Sequence, residues 1–487
     1  MRLLRLVFVT AMILSIPSML WGQWHYQQQF FDGTGVNFNP QGSSTRARGM
    51  GNAYLALSDD AAGATWNPAG AAFMKKNQAN IEFMSNASTY DVKSTLNGQN
   101  YSYDTKDNIF SSFGYVSPLR FYHRDFALGV NYYRMIDLTK EYNINFSDSA
   151  GYPIRTEKYF MDFGLDAVKL TAATQIIPEL SFGINGNVYI RGFTEDYRQI
   201  YPSFDWIVGN DTAAVLFHAR NKASFSGINF DFGLQGRSGG LSIGAVVSTP
   251  FKLRQEASIT NAVVIPDYGE IGNIIDNTHI NVDFPLGISG GAAYGIDKAT
   301  IAADFSFYKF SKSRNTMHPY FADPLYQYSF DPSVPNVEVD PQWKDILQLR
   351  VGAEYLFDIS SLTIPVRAGY RTDPKVYSDG TIFYFDIANQ PPLLLPPGYE
   401  TTYGHTEFNG DQVKGYIISL GTGMKYKTYN LDISYEYGRA ERELRRRFVE
   451  VTDFVDNQFV EGQITKDEIQ TIKENTSRLN LSISMSF

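Results

Sequence analysis

The chain of 487 residues contains no cysteine, so it has no disulfide framework, thiolate metal site, cysteine nucleophile or acylated cysteine of the lipoprotein kind. Surplus positive charge is also missing. Lys and Arg number 42 against 51 Asp and Glu, a net −9, which excludes a general nucleic-acid binder because neutralising phosphates needs a basic surface. Histidine is scarce: His25, His123, His218, His279, His318 and His405 stand apart, with no His-x-x-x-His pair and no serine nucleophile element beside them. No phosphate-binding loop is present either. The expectation is a chain that is not an enzyme and carries no cofactor and no metal. Beyond residue 20 no apolar run approaches the roughly 20 residues a spanning helix needs, and the mean hydropathy is −0.25. No acidic or proline-rich linker divides the chain, so one large unit is a simpler reading than two or three domains.

What is present begins with Arg2 and Arg5, an apolar stretch from Leu6 to Leu20, and Trp21-Gly22-Gln23. A charged start, a short apolar centre and a small residue form a secretory signal peptide over residues 1–22. The centre is too short, and too interrupted by Ser15, Pro17 and Ser18, for a membrane anchor.

The aromatic share is 15%, with 35 Phe and 32 Tyr, and many of these residues fall into a period of two. Leu479, Leu481, Ile483, Met485 and Phe487 alternate with Asn480, Ser482, Ser484 and Ser486; Tyr429, Leu431, Ile433, Tyr435 and Tyr437 alternate with polar residues in the same way. Alternation alone fits a soluble sandwich as well as a barrel. The connections discriminate. Fourteen candidate strands follow, at 79–88, 108–117, 124–136, 160–175, 178–192, 222–237, 240–255, 283–296, 298–311, 343–357, 361–373, 412–426, 428–440 and 476–487. Every second junction is tight, as at Arg237-Ser238-Gly239-Gly240, Ile296-Asp297 and Lys427, and the others are long, as from Phe193 to Asn221 and from Ser258 to Asn281. Short turns on one rim, long loops on the other and an even strand count describe an all-β fold, an antiparallel transmembrane β-barrel spanning residues 79–487. Tyr132-Tyr133, Tyr159-Phe160, Phe305, Phe307, Tyr308 and Phe310, near strand ends, are candidates for the aromatic belts of the membrane interface.

Residues 23–78 do not read as strands. Small residues dominate Gln41 to Gly70, which favours close backbone packing, and Asn67-Pro68 marks a turn or a helix boundary. A compact segment ahead of a large barrel is most economically placed in the lumen as a plug. The run Arg46-Ala47-Arg48-Gly49-Met50-Gly51-Asn52-Ala53, the pair Asp59-Asp60 before Ala61, and Asn67-Pro68-Ala69 resemble the FadL-type family of outer-membrane transporters for long-chain fatty acids and other hydrophobic compounds. Phe284 to Tyr294, Leu349 to Tyr355 and Pro365 to Tyr370 are similar to that family's strands. The resemblance implies a fourteen-stranded barrel closed by an N-terminal hatch, an outer-membrane location in a diderm (Gram-negative) bacterium, and passive uptake of a hydrophobic or amphipathic small molecule without nucleotide or ion coupling. It also implies that Asn67, Pro68 and Ala69, with Asp59 and Asp60, form the hatch element. The alternative is that Asn67-Pro68 merely terminates a buried helix.

Two groups are candidates for substrate binding. Arg350, Glu354, Arg367 and Arg371 face the expected lumen, where arginine suits a carboxylate headgroup; such residues more often form ion pairs between wall and plug, with Asp59 and Asp60 as candidate partners. Phe204, Trp206, Leu216 and Phe217 lie on a long connection corresponding by position to a capture loop, or pack on one another. Arg445-Arg446-Arg447 offers a contact for lipopolysaccharide phosphates or is a solvated patch. Residues 464–473 have helical spacing and predict a short surface helix. The partners expected are a hydrophobic ligand, outer-membrane lipids and lipopolysaccharide, with no nucleic acid, around a monomer. A rival reading is a barrel of the same fold that binds cargo in a secretion system similar to type IX. A plain porin is disfavoured by the plug.

Overall fold

In the computed structural model, residues 38–39, 41–95, 100–121, 124–137, 139–147, 153–201, 215–265, 269–318, 333–387, 402–408, 410–455 and 458–487 are described. The expected signal peptide, and Phe204 and Trp206, lie outside these residues. Fourteen wall positions are filled in chain order. They are Gln78–Ser94, Asn100–Phe121, Arg124–Asp137, Pro153–Ile177, Leu180–Tyr201, Val215–Ser238, Leu241–Ser248 continued by Phe251–Ile265, Gly269–Phe284 continued by Gly287–Ile296, Ala299–Tyr308, Ile346–Ile359, Leu362–Ser378, Gln412–Tyr426, Tyr429–Val455 and Gln458–Ser486. Each pairs antiparallel with the next, and the fourteenth pairs with the first from Gln78↔Ser486 to Ser94↔Gln470. The sheet therefore has no open edge, the one way strands can cross a bilayer with every backbone group satisfied.

The tight junctions fall where the sequence places them. Gly239 and Gly240 both have positive φ, 56° and 84°, as a two-residue hairpin of the I′ kind requires. Asp297, Ser360 and Lys427 take φ near 50–60° in the equivalent turns. By the ordinary orientation of such barrels this short-turn rim faces the periplasm.

Side chains in the band next to these turns point apolar groups outward. Leu420 is 65% exposed, and Ile301, Ile228, Leu479 and Ile483 stand on the same outer face. On the fourteenth strand this band covers residues 479–487, about 27 Å along the strand at ~3.3 Å per residue, enough for a hydrocarbon core crossed at a tilt. Tyr370 and Tyr416 stack at 6.4 Å at the upper border. Tyr132, Phe160 and Phe305 face outward as an aromatic belt would, whereas Tyr133, Tyr159 and Phe310 are buried inside. Adjacent strand residues point to opposite faces, so a pair such as Tyr132-Tyr133 cannot sit wholly in the belt.

Above the band the pattern inverts. On the sixth strand, Ile228, Phe230, Phe232 and Leu234 face out with Asn229, Asp231 and Gln235 inside; farther out, Lys222, Ser224 and Ser226 are exposed while Ala223 and Phe225 are buried in the lumen. The strand is continuous, but its apolar face changes sides where lipid gives way to water. For this reason the expected long loops are largely strand. The fifth and sixth strands reach Tyr201 and start at Val215, with Leu216 opposite Ile200 and Phe217 opposite Gln199, and Phe251–Ile265 pairs with Gly269–Phe284 across the second connection. The expected helix at 464–473 is likewise strand, with Ile469 paired to Arg445. Alternation on the outer face is lost there, and the spacing of the isoleucines imitates a helix.

Leu420→Arg, on the lipid face, is expected to lower the unfolding free energy in a bilayer by about 2–4 kcal/mol, read from the urea midpoint of the reconstituted protein. An unchanged midpoint would place this surface outside the membrane.

Candidate functional site

Residues 41–77 cross the lumen without a strand. Ser44, at φ 106°, accepts from the Ala47 amide at 3.2 Å and starts the helical turn Thr45–Gly49. Asn67 starts the 3₁₀ turn Pro68–Phe73: its Oδ1 accepts from the Ala69 amide at 3.1 Å, and Pro68 occupies the first helical position, where no N–H is needed. Its Nδ2 donates to Leu55 O at 3.2 Å and to Leu234 O of the sixth strand at 3.0 Å. Asn67 thus stands between two helical turns: its amide donates to Gly63 O at 3.0 Å at the end of Gly63–Thr65, its side chain starts the next, and it also ties two parts of the plug to the wall. Contact this close needs glycine in the wall. A Cβ at Gly233 would lie 2.2 Å from Asn67 Oδ1, and one at Gly369 would lie 2.0 Å from the Gly51 nitrogen.

On one side the plug rests on small apolar residues: Ala61, Ala64, Ala71 and Ala72 pack with Val116, Ala127 and Ala173 of the second, third and fourth strands. Elsewhere it is held by charge. Arg46 Nε and Nη2 donate to the Glu354 carboxylate at 2.9 and 2.7 Å, a bidentate geometry. Glu354 also accepts from Arg367 at 2.6 Å, and Arg367 reaches Asp432 at 2.7 Å. Arg48 pairs with Glu82 at 3.0 Å, which accepts from the Ser44 amide, Thr45 and Ser112 as well. Asp304 accepts from the Tyr54 and Leu55 amides at 2.6 and 2.8 Å. Lys169 bridges Asp231 at 2.8 Å and the Thr65 carbonyl at 3.1 Å.

The structure therefore links Glu354 and Arg367 to the plug through Arg46. Asp59 joins them by the same arginine, at 2.7 Å, and among the described residues it makes no ion pair with Arg350, Arg367 or Arg371. Asp60 accepts from Tyr54 Oη at 2.7 Å and from the Gly63 amide at 2.5 Å. Burial works against the Asp59 charge, but Arg46 and then Arg237 outweigh it and hold that carboxyl below its usual value. Burial, and then the charge on Asp59, pushes Asp60 up to about 6. Arg371 pairs within the wall with Glu436 at 2.5 Å. Arg350 donates to Gln348 and Ser306 and lies 5.4 Å over the Trp66 ring.

Above the plug lies a cavity floored by Leu55, Thr65 and Trp66 and walled by aromatics, with Arg350, Lys169 and Asp231 at its edge. Tyr189 stacks on Phe251 at 4.6 Å and Phe251 on Phe284 at 4.7 Å. Phe38, from the start of the plug, inserts between Phe284, Phe310 and Trp343 with centroids at 5.2, 5.5 and 5.2 Å. Sequence reading missed these residues, together with Arg46, Arg48, Glu82 and Asp304 as holding groups. A signal for the acids was available: Glu82 and Asp304 are charges at inward positions of apolar outward-facing segments. For the cup there was no such signal, since its residues come from strands far apart in sequence.

No family model matches the sequence, and no curated protein matches it. Among solved structures, a Pseudomonas aeruginosa FadL homologue superposes with a TM-score of 0.54 at 14% identity, covering 93% of this chain and all of that one. The toluene transporter TodX of Pseudomonas putida gives 0.52 at 14% identity, covering 92% and 99%.

Two outcomes follow from the plug's bonds. Glu354→Gln leaves Arg46 and Arg367 with one carboxylate each, and is expected to lower the opening free energy of the amides at 47–54 by about 2–3 kcal/mol in hydrogen exchange; unchanged exchange contradicts the latch. Asp60 holds its proton to about pH 6 in the folded chain but to about 3.9 when unfolded. The folded state therefore binds more protons between these values, and stability falls as pH rises through the window. Asp60→Asn is expected to remove that fall from a pH series of plug exchange. At these low identities the likeness is one of fold, and the chain has the fold of the FadL-type outer-membrane transporters.

Proposed function

We propose that this barrel lets hydrophobic or amphipathic small molecules, long-chain fatty acids among them, diffuse across the outer membrane, with the plug as the gate. The observation that carries the reading is the aromatic cup directly above the plug, in a barrel whose described lumen at membrane height is lined by polar groups and small residues. A polar pore gives an apolar solute no favourable site, whereas each methylene buried in such a cup contributes about 0.8 kcal/mol.

The wall beside the cup supplies a way out. The seventh strand is interrupted between Ser248 and Phe251 and the eighth between Phe284 and Gly287, at Pro250 and Pro285, which cannot donate to a ladder. Thr249, Phe251, Phe284 and Pro285 line the cup, and Ile228 and Leu286 flank the interruption on the lipid side. The interruption lies at the upper border of the apolar band, beside Ile228 and Phe230, so a ligand leaving here meets the edge of the bilayer. Phe38 and Trp66, which belong to the plug and touch the cup, are the groups whose displacement opens the route. The names of the similar structures, a FadL homologue and a toluene transporter, agree with this chemistry.

The test is uptake of a fluorescent long-chain fatty acid into liposomes carrying the protein, with binding measured alongside. Removing two buried aromatic walls in Phe284→Ala/Phe310→Ala is expected to weaken binding by at least tenfold, given about 1.5–3 kcal/mol for each buried ring, and to slow uptake in parallel. Uptake no faster than in empty liposomes would overturn the proposal.

A further inference from the structure

The lumen above the plug has a second chamber opposite the aromatic cup. It lies against the first, second, third and eleventh to fourteenth strands and is lined by hydrogen-bonding and charged side chains, among them Arg48, Tyr90, Arg134, Lys375, Glu474 and Arg478. Gln41 and Met135 line both spaces, so the chambers meet there.

Most charges in this chamber are matched. Arg134 holds Asp137 at 2.8 Å and Asp166 at 2.6 Å, and Lys375 holds Asp373 at 2.6 Å. The floor is different. Three guanidiniums, Arg48, Arg371 and Arg478, gather about two carboxylates, Glu82 and Glu436. Arg48 takes Glu82 at 3.0 Å and lies 3.9 Å from Glu436, which is bonded to Arg371 at 2.5 Å. Arg478 faces Glu436 across the strand pair, but neither it nor any other carboxylate stands within ion-pair distance among the described residues, and the bond Arg478 donates there is a long one of 3.4 Å to Asn86. Glu474 is four residues away on the same inward face, about 13 Å farther out along the strand. The floor thus carries one local positive charge in excess, on a half-buried arginine that lines open space. A cation in that position favours an anion.

We infer that the two chambers bind one amphipath: an apolar tail in the aromatic cup and, in the polar chamber, a hydrophilic head with amide or hydroxyl groups and one anionic group that meets Arg478. This rests on the uptake reading above and deepens it, because a plain hydrocarbon leaves the polar chamber unused. A bare carboxylate fills little of it. The head's hydrogen-bonding groups meet the side chains of Asn86, Tyr90, Thr105 and Thr476, which line the same space.

The experiment compares three probes of equal chain length, dodecane, dodecanoic acid and N-dodecanoylglutamine, binding to the full chain in lipid nanodiscs by tryptophan fluorescence. N-dodecanoylglutamine is expected to bind at least tenfold more tightly than dodecanoic acid. Arg478→Gln is expected to abolish that advantage while leaving dodecane binding unchanged, which also reports that the barrel is folded, and Arg478→Lys is expected to retain most of it. Equal affinities for the two acids, with no effect of Arg478→Gln, overturn the two-chamber inference and leave the uptake reading standing. Failure of all three probes to bind overturns both.

Discussion

A segment with almost no regular structure, sealed inside a barrel, must have its amides and carbonyls satisfied by something other than itself. Here the wall does it. Asp304 takes two consecutive plug amides, Ser419 meets the Gly51 amide and the Gly49 carbonyl, and Gln235 and Asn185 donate to plug carbonyls. Polar residues facing inward at membrane height are therefore the plug's missing secondary structure. Glycines such as Gly233 and Gly369 let its backbone come close enough to use them.

The same requirement divides the lumen by height. At the level of the bilayer the outer face is apolar and the inner face polar, so that level suits a polar plug. Above it the outer face meets water, and the inner face is free to be apolar, so the cup assembles there from Tyr189, Phe251, Phe284 and Phe310. Plug and cup are adjacent because the inversion is sharp. Phe38 and Trp66 bridge the two levels, packing on the plug and on the cup alike.

Much of this was legible in the sequence. Lipid-facing alternation, as in Leu479 to Phe487, located all fourteen strands, and the tight turns fixed their order around the barrel. The absence of strands from the N-terminal segment was legible from its small residues. The extensions above the membrane were not. There the apolar residues move to the opposite parity, as at Ala223 and Phe225, so the strand from Val215 to Asn221 reads as loop. Among the candidate residues, Glu354 and Arg367 do meet the plug, through Arg46, a partner that charge counting along the chain could not select. Leu216 and Phe217 belong to the wall's sixth strand and not to a loop. The basic run at Arg445-Arg446-Arg447 is not free, because Asp467 on the fourteenth strand pairs with Arg445 and, at 3.7 Å, with Arg447.

Whether the plug must move for a ligand to pass, as proposed above, is directly testable because the chain has no native cysteine. A short bis-maleimide joining Arg46→Cys to Glu354→Cys fixes the plug to the tenth strand where the latch now holds it. The cross-linked protein is predicted to bind a fluorescent fatty acid in the cup yet to admit it into liposomes no faster than the membrane alone, while the uncross-linked double variant admits it freely. Undiminished uptake through the cross-linked protein would contradict the account.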